Sequence, residues 1–339
     1  MWQPPAHWLQ LTTIDAHTGG EPLRVLVDGF PDLPGDTILA KRRYAREYLD
    51  HLRRALMWEP RGHADMYGCI VTEPVTPDGT LGVLFLHNEG FSTMCGHGVI
   101  GLAVVALDTG MITVSGEPAV IKMDTPAGRV TAYATRDRGR VTNVFFHNVP
   151  SYVFTLDQVV DVPGVGQVRY DVAFGGAYYA FVRAEEVGVG LDVASARKLI
   201  DLGMRIKRAV MASLPLTHPS DPDLAFLYGT IFVGAAANPA HHSRNVCIFA
   251  NGELDRSPTG TGVSARAALH FARGEIGLNE PFVVESILGT TFTGSVHATT
   301  TFASYPAVIP QVEGMAYICG RNHILINPND PLQHGFLIR

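Results

Sequence analysis

The sequence predicts a mixed α/β protein built from two similar halves. Three observations carry that reading. Short apolar runs recur between breakers, with 35 glycines and 22 prolines spread along 339 residues. Helical patterns are few. An internal repeat aligns the chain with itself at a shift of 164 residues. At about 150 residues per domain, the length fits two domains or one large one.

The runs Arg24–Val27, Gly82–Leu86, Val141–Phe146 and Ala180–Val182 read as strands bounded by turns. A helix is expected from about Thr37 to Met57, with Asp36 as its N-cap. It carries Lys41, Arg42, Arg43, Arg46, Arg53 and Arg54 interleaved with Glu47 and Asp50. Both signs on one stretch predict a solvated face rather than a basic docking patch. Further helices are expected over 95–108, 193–208 and 259–273.

Composition narrows the function classes. With 26 basic and 32 acidic residues the formal charge is −6, which argues against a nucleic-acid binder and against attraction to an anionic membrane. Apolar residues make up 46% and charged residues 17%, a globular balance that buries a large core. No uncharged apolar run is long enough to span a membrane, and Met1-Trp2-Gln3-Pro4-Pro5 does not read as a secretory signal. Cys69, Cys95, Cys247 and Cys319 form no close pair, which predicts a reducing, cytoplasmic setting. Cys69, Cys247 and Cys319 lie in apolar segments and are expected in the core. No histidine pair, His241-His242 included, has a supporting ligand set at a metal-site spacing, so no metal is expected. His17, beside Thr18-Gly19-Gly20, reads as support for a pocket or a turn. The only lysines are Lys41, Lys122, Lys198 and Lys207, three of them in charged helical stretches, so a pyridoxal Schiff base is not expected.

The repeat aligns Cys95-Gly96-His97-Gly98-Val99 with Thr259-Gly260-Thr261-Gly262-Val263. Outward it pairs Phe85 with Phe249, Glu89 with Glu253, Ala103 with Ala267, Gly110 with Gly274 and Ile112 with Ile276. Each copy runs strand, turn, glycine-rich helix start, helix, strand. A thiol at a helix start sits among free backbone N–H groups at the positive dipole end, which lowers its pKa and can hold a carboxylate. That arrangement suits removal of a proton from the carbon beside a carboxylate; the competing reading of Cys95 is an inert buried cysteine. Asp255 reads either as a partner for a substrate amine or as a turn cap, and His97 either as a pocket donor or as a satisfied polar group.

Met94-Cys95-Gly96-His97-Gly98-Val99-Ile100-Gly101 and Asp255-Arg256-Ser257-Pro258-Thr259-Gly260-Thr261-Gly262 resemble the two signature motifs of the proline racemase family. Asp15–Pro22, Ser243–Cys247 and Gly175–Tyr179 add to the resemblance, which covers about residues 10–335. It implies a diaminopimelate-epimerase-like fold, with two pseudo-symmetric halves, each a sheet wrapped around a central helix, closing on a substrate. The first half is then residues 1–150, carrying Cys95 and completed by about 322–339; the second is 151–321, carrying Thr259. The resemblance further implies that Gly96, His97, Gly260 and Thr261 hold the substrate carboxylate and Asp255 the ring nitrogen. It suggests a homodimer, and the placing of the four lysines leaves a mechanism with no cofactor as the expectation.

Racemases and epimerases of this family carry a cysteine at both helix starts. Here the second position is Thr259, too weak an acid to match a thiol. The Cys/Thr pair is similar to that of the trans-3-hydroxy-L-proline dehydratases. In that substrate the α-hydrogen and the 3-hydroxyl share the face opposite the carboxylate, so water can leave by syn elimination with one residue, Cys95, as base. The expected product is an enamine that tautomerises to Δ1-pyrroline-2-carboxylate. The alternatives are a 4-hydroxyproline epimerase or proline racemase, and a non-catalytic hydroxyproline-binding protein.

Overall fold

Apolar runs between turn residues become strands, and the strands form two arrays with one pairing order. The computed structural model describes residues 2–338; Met1 and Arg339, the outer ends of the expected first half, lie outside the described residues. In chain order the elements are β1 (Leu9–Thr18), β2 (Glu21–Asp28), α1 (Ile38–Tyr48), α2 (Asp50–Met57), β3 (Tyr67–Thr72), β4 (Leu81–His87), α3 (Gly96–Asp108), β5 (Ala119–Thr125), β6 (Gly128–Asp137) and β7 (Arg140–His147). There follow β8 (Ser151–Val162), β9 (Gly166–Phe174), β10 (Tyr178–Arg183), α4 (Ala196–Ser213), β11 (Leu227–Gly234), β12 (Ser243–Phe249), β13 (Glu253–Leu254), α5 (Gly260–Ala272), β14 (Phe282–Glu285), β15 (Thr291–Phe302), β16 (Tyr305–Gly314) and β17 (Ala316–Ile326).

One array runs β17-β1-β2-β3-β4-β5-β6-β7. The other runs β8-β9-β10-β11-β12-β14-β15-β16, with β13 paired to the end of β12. Directions agree step for step. In the first array β2/β3 and β4/β5 are parallel; in the second β10/β11 and β12/β14 are, and every other neighbouring pair is antiparallel. A parallel step needs a crossover, and each one contains helix: α1 and α2, α3, α4 and α5 respectively. β7 pairs with β16 and joins the arrays.

The two crossover helices α3 and α5 are the centres. α3 packs against β1, β2, β6, β7 and β17, and α5 against the matching strands β9, β10, β15, β16 and β8. Residues Gly96–Ala106 of α3 are buried without a break, as are Gly260–Leu269 of α5. Helices apolar all round belong inside a core. β7 ends at His147 and β8 begins at Ser151, so the chain passes from one array to the other over 148–150. The chain rejoins the first array earlier than the expected residue 322: Ala316 already pairs with Thr18 of β1.

Several local expectations change. The helix over 37–57 is two helices broken at Leu49, where φ is −121° and ψ is 12°. Its N-cap is Thr37 rather than Asp36, the Thr37 hydroxyl accepting from the Ala40 N–H at 3.0 Å. The stretch expected over 193–208 is helical over Ala196–Ser213, after a short turn at Val193–Ser195. Cys319 is exposed on β17, whereas Cys69 and Cys247 are buried.

The basic face of α1 and α2 is not simply solvated. Arg42 and Arg53 are buried. Arg42 donates to the Phe91 carbonyl at 2.6 and 2.9 Å, and Arg53 donates to the His87 carbonyl at 2.8 Å and to Asp50. These charge-assisted bonds fix the segment 87–91 that leads into Cys95. Alternating charge cannot reveal this, because the partners are carbonyls far away in sequence. No helix among the described residues is long and apolar enough to cross a membrane.

Candidate active site

The N-termini of α3 and α5 meet head on. A Cβ placed on Gly96 would lie 2.6 Å from the Gly260 Cα, and one on Gly260 would lie 2.7 Å from the Gly96 Cα. Only two glycines allow that approach. Beside the contact lies a cavity of about 20 Å³, room for about one water. The structure brings all seven expected site residues to it: Cys95, Gly96 and His97 from the first half, and Asp255, Thr259, Gly260 and Thr261 from the second. A larger cavity, about 690 Å³ beside Asp28–Leu33 and Glu73–Pro74, is lined by none of them.

Cys95 is the N-cap of α3, its Sγ accepting from the Gly98 N–H at 3.3 Å. His97 Nδ1 lies 3.2 Å from Sγ, and His97 Nε2 lies 3.3 Å from the Pro22 carbonyl. A carbonyl only accepts, so in the neutral ring Nε2 carries the hydrogen and Nδ1 is free to receive the thiol proton. Burial lowers the His97 pKa to about 3, against the opposing Pro22 bond. For Cys95 the expected depression does not win. Burial pushes the thiol well up, while bonds from Tyr67 and Gly98 pull it down and the Asp255 and Glu21 charges raise it further.

Thr259 occupies the equivalent cap position on α5 with a different conformation. Its φ is +66°, and its side chain makes no cap bond. The hydroxyl instead donates to Asp255 Oδ2 at 2.7 Å, while Asp255 Oδ1 accepts from the Ser257 N–H at 2.7 Å. Burial raises Asp255 to about 6 against those bonds. Thr261 Oγ1 lies 2.6 Å from Tyr179 Oη.

The cavity is also lined by Tyr67, Met94, Tyr179, Tyr228, Cys247 and Phe249, whose place the sequence reading missed. Most sit in strands whose apolar runs look alike from either face. The available signal was three tyrosines in such runs, since a buried phenol needs a polar partner. Cys247 is a core residue as expected, yet it also borders the cavity, and burial pushes its pKa up. His17 packs on Tyr317, His241 bonds Glu285 and His242 bonds Ser243; none lines the cavity. Among the described residues no group of His, Cys, Asp and Glu is placed to hold a metal ion.

Two pseudo-equivalent helix starts on one enclosed cavity define the class: a mixed α/β fold of the diaminopimelate-epimerase-like kind. A family model described as "Proline racemase" matches residues 13–337, and the chain belongs to the proline racemase family. A trans-3-hydroxy-L-proline dehydratase of Colwellia psychrerythraea is 48% identical, covering 100% of this chain and 96% of its own. A 3-hydroxyproline 2-epimerase of Burkholderia multivorans is 43% identical over 97% of this chain and 98% of its own. A crystal structure of a hydroxyproline epimerase from Agrobacterium vitis, with bound trans-4-hydroxy-L-proline, superposes with a TM-score of 0.92 at 29% identity, covering 97% of this chain and 96% of that one.

Gly260→Ala is expected to force the helix starts apart. It should cost about 1–3 kcal/mol in denaturant titration and abolish turnover. A variant with unchanged stability and activity would show that the contact sets nothing. A second expectation concerns pH. If Asp255 holds a cationic ring nitrogen, as the family resemblance implies, it must be ionised, so kcat/KM should fall as pH drops through about 6. The residual activity of Asp255→Asn should lack that limb; an unchanged profile would assign the limb elsewhere.

Proposed function

We propose that the protein removes water from trans-3-hydroxy-L-proline to give Δ1-pyrroline-2-carboxylate, a hydro-lyase reaction with no cofactor. The observation that carries this reading is the inequality of the two helix starts. One presents a thiol paired with His97; the other presents a hydroxyl whose hydrogen is committed to Asp255. The name of the 48% identical relative supports the substrate.

In this reading the backbone N–H groups of Gly96, His97, Gly260 and Thr261 receive the substrate carboxylate, where two positive helix ends converge. Asp255 takes the ring nitrogen. The positive charge arriving there, and the basic Nδ1 of His97, favour loss of the Cys95 proton. The thiolate then removes the α-hydrogen from its own face, and the 3-hydroxyl on that same face departs. Thr259 fills the opposite face. The family resemblance and the cysteine usage support a homodimer and a cytoplasmic setting.

The second reading is an epimerase. Cys247, a sulfur on the second half's side of the cavity, favours it, as does the name of the 43% identical relative. One experiment separates the two. The protein is incubated with trans-3-hydroxy-L-proline in deuterated water, trapping the imine with o-aminobenzaldehyde and resolving the proline enantiomers and epimers. The dehydratase reading expects imine and no D-configured product. It expects Cys95→Ser to lose about a thousandfold and Thr259→Cys to gain epimerised product. D-configured product from the unaltered protein without imine would establish the epimerase, and full imine formation by Cys95→Ser would remove the assigned base.

A further inference from the structure

Syn elimination needs a proton for the departing hydroxyl, delivered on the face where Cys95 works. Of the lining residues that the first half contributes, Tyr67, Met94, Cys95, Gly96 and His97, only Tyr67 bears a hydroxyl. His97 offers no hydrogen to the cavity while neutral, since Nε2 is turned to the Pro22 carbonyl and Nδ1 to the sulfur. On the other wall the Thr259 hydrogen is committed to Asp255, and Thr261 and Tyr179 bond each other.

We propose that Tyr67 is the general acid of the elimination. This rests on the dehydratase reading above. Tyr67 comes from β3 and is buried, its Oη 2.7 Å from Ser92 Oγ and 3.4 Å from Tyr228 Oη. It lines the same cavity as Cys95, and its influence on the sulfur lowers the thiol's pKa while its own is raised, chiefly by burial. Ser92 and Tyr228 are placed to donate to the phenolate left when Tyr67 gives up its proton.

The step balances. The Cys95 thiolate takes the α-hydrogen and becomes a thiol. The electron pair of the broken C–H bond forms the C2–C3 double bond as the C3–O bond breaks. The Tyr67 O–H supplies the proton that makes the leaving group water. The phenolate then recovers a proton from the Cys95 thiol within the cavity they share, restoring the thiolate. The α-hydrogen has in effect been relayed through sulfur and oxygen to the position from which it leaves.

The test compares two leaving groups. Fluoride needs no proton to depart, so trans-3-fluoro-L-proline bypasses the acid. Tyr67→Phe is expected to lower imine formation from trans-3-hydroxy-L-proline by a factor of about 10²–10⁴, the usual size of a general-acid contribution. Elimination of fluoride should stay within about fivefold of the unaltered protein, an allowance for the lost bond to Ser92. If the fluoro compound is not turned over, α-deuterium uptake into trans-3-hydroxy-L-proline decides: it must persist in Tyr67→Phe while imine is lost. Ser92→Ala, a gentler change, should shift the hydroxy-to-fluoro ratio in the same direction by a smaller factor. A variant impaired equally on both substrates, or one that still dehydrates at the normal rate, overturns the proposal. Absence of imine with the unaltered protein is a different failure, that of the dehydratase reading itself.

Discussion

The site depends on one contact: the backbone of Gly96 against the backbone of Gly260. It sets how close two helix N-termini come, and hence that both positive dipole ends act on a single small volume. A carboxylate lying there meets N–H groups from both helices at once. In the proposed reading the carbon next to that carboxylate falls between residues 95 and 259, the cap positions, and the contact sets the anion site and both faces of the reaction in one geometric element. Side chains there would separate the two halves of the molecule by the width of a methyl group.

Burial outweighs the helix ends in the closed site. It raises the Cys95 thiol and Asp255 and depresses His97, so the enclosed groups favour their neutral forms. In the proposed reading a zwitterionic amino acid supplies what they lack, an anion for the helix ends and a cation for Asp255, so that ionisation of the thiol is coupled to occupancy. The cavity is lined from both halves, so a parting of the halves would open it. The bonds that such parting stretches are identifiable. Glu21 accepts from the Arg256 N–H at 2.7 Å, Arg256 pairs with Asp65 at 2.7 Å, Thr93 donates to the Gly176 carbonyl at 2.6 Å and Thr290 to the Gly19 carbonyl at 2.8 Å. Each crosses between halves, and all surround the two helix starts.

Much of this was legible in the residues. The repeat at a shift of 164 placed Cys95 opposite Thr259, and the strand pairing shows two arrays of matching order around α3 and α5. Local signals of that kind survive in sequence because glycine-rich helix starts and apolar helices have few alternative uses. The buried roles of Arg42 and Arg53 were not legible, since a charged side chain reaching a distant carbonyl leaves no periodic trace. Tyr67, Tyr228 and Cys247 escaped for another reason. A strand alternates its faces, but one buried on both sides looks uniformly apolar, and which face borders the cleft is a tertiary fact. The pKa of Cys95 was misjudged because a helix start is visible in sequence whereas depth of burial is not.

The pseudo-symmetry matters most where it fails. Cys95 has an extended backbone and turns its sulfur to its own helix. Thr259, at φ +66°, holds a β-branched residue in the left-handed region, a conformation that costs on the order of 1–3 kcal/mol and persists only when its surroundings dictate it. Here they do: Ser257 Oγ accepts from the Thr259 N–H at 3.1 Å, and Asp255 accepts from its hydroxyl. The hydrogen of that hydroxyl is thus committed to Asp255 and is not offered to the cavity. The nearby Cys247 thiol is held neutral by burial and by the Asp255 charge. The second half therefore presents a neutral wall made of groups that could in other settings move protons. One-sided chemistry follows from how those hydrogens are committed, more than from the exchange of one residue type for another.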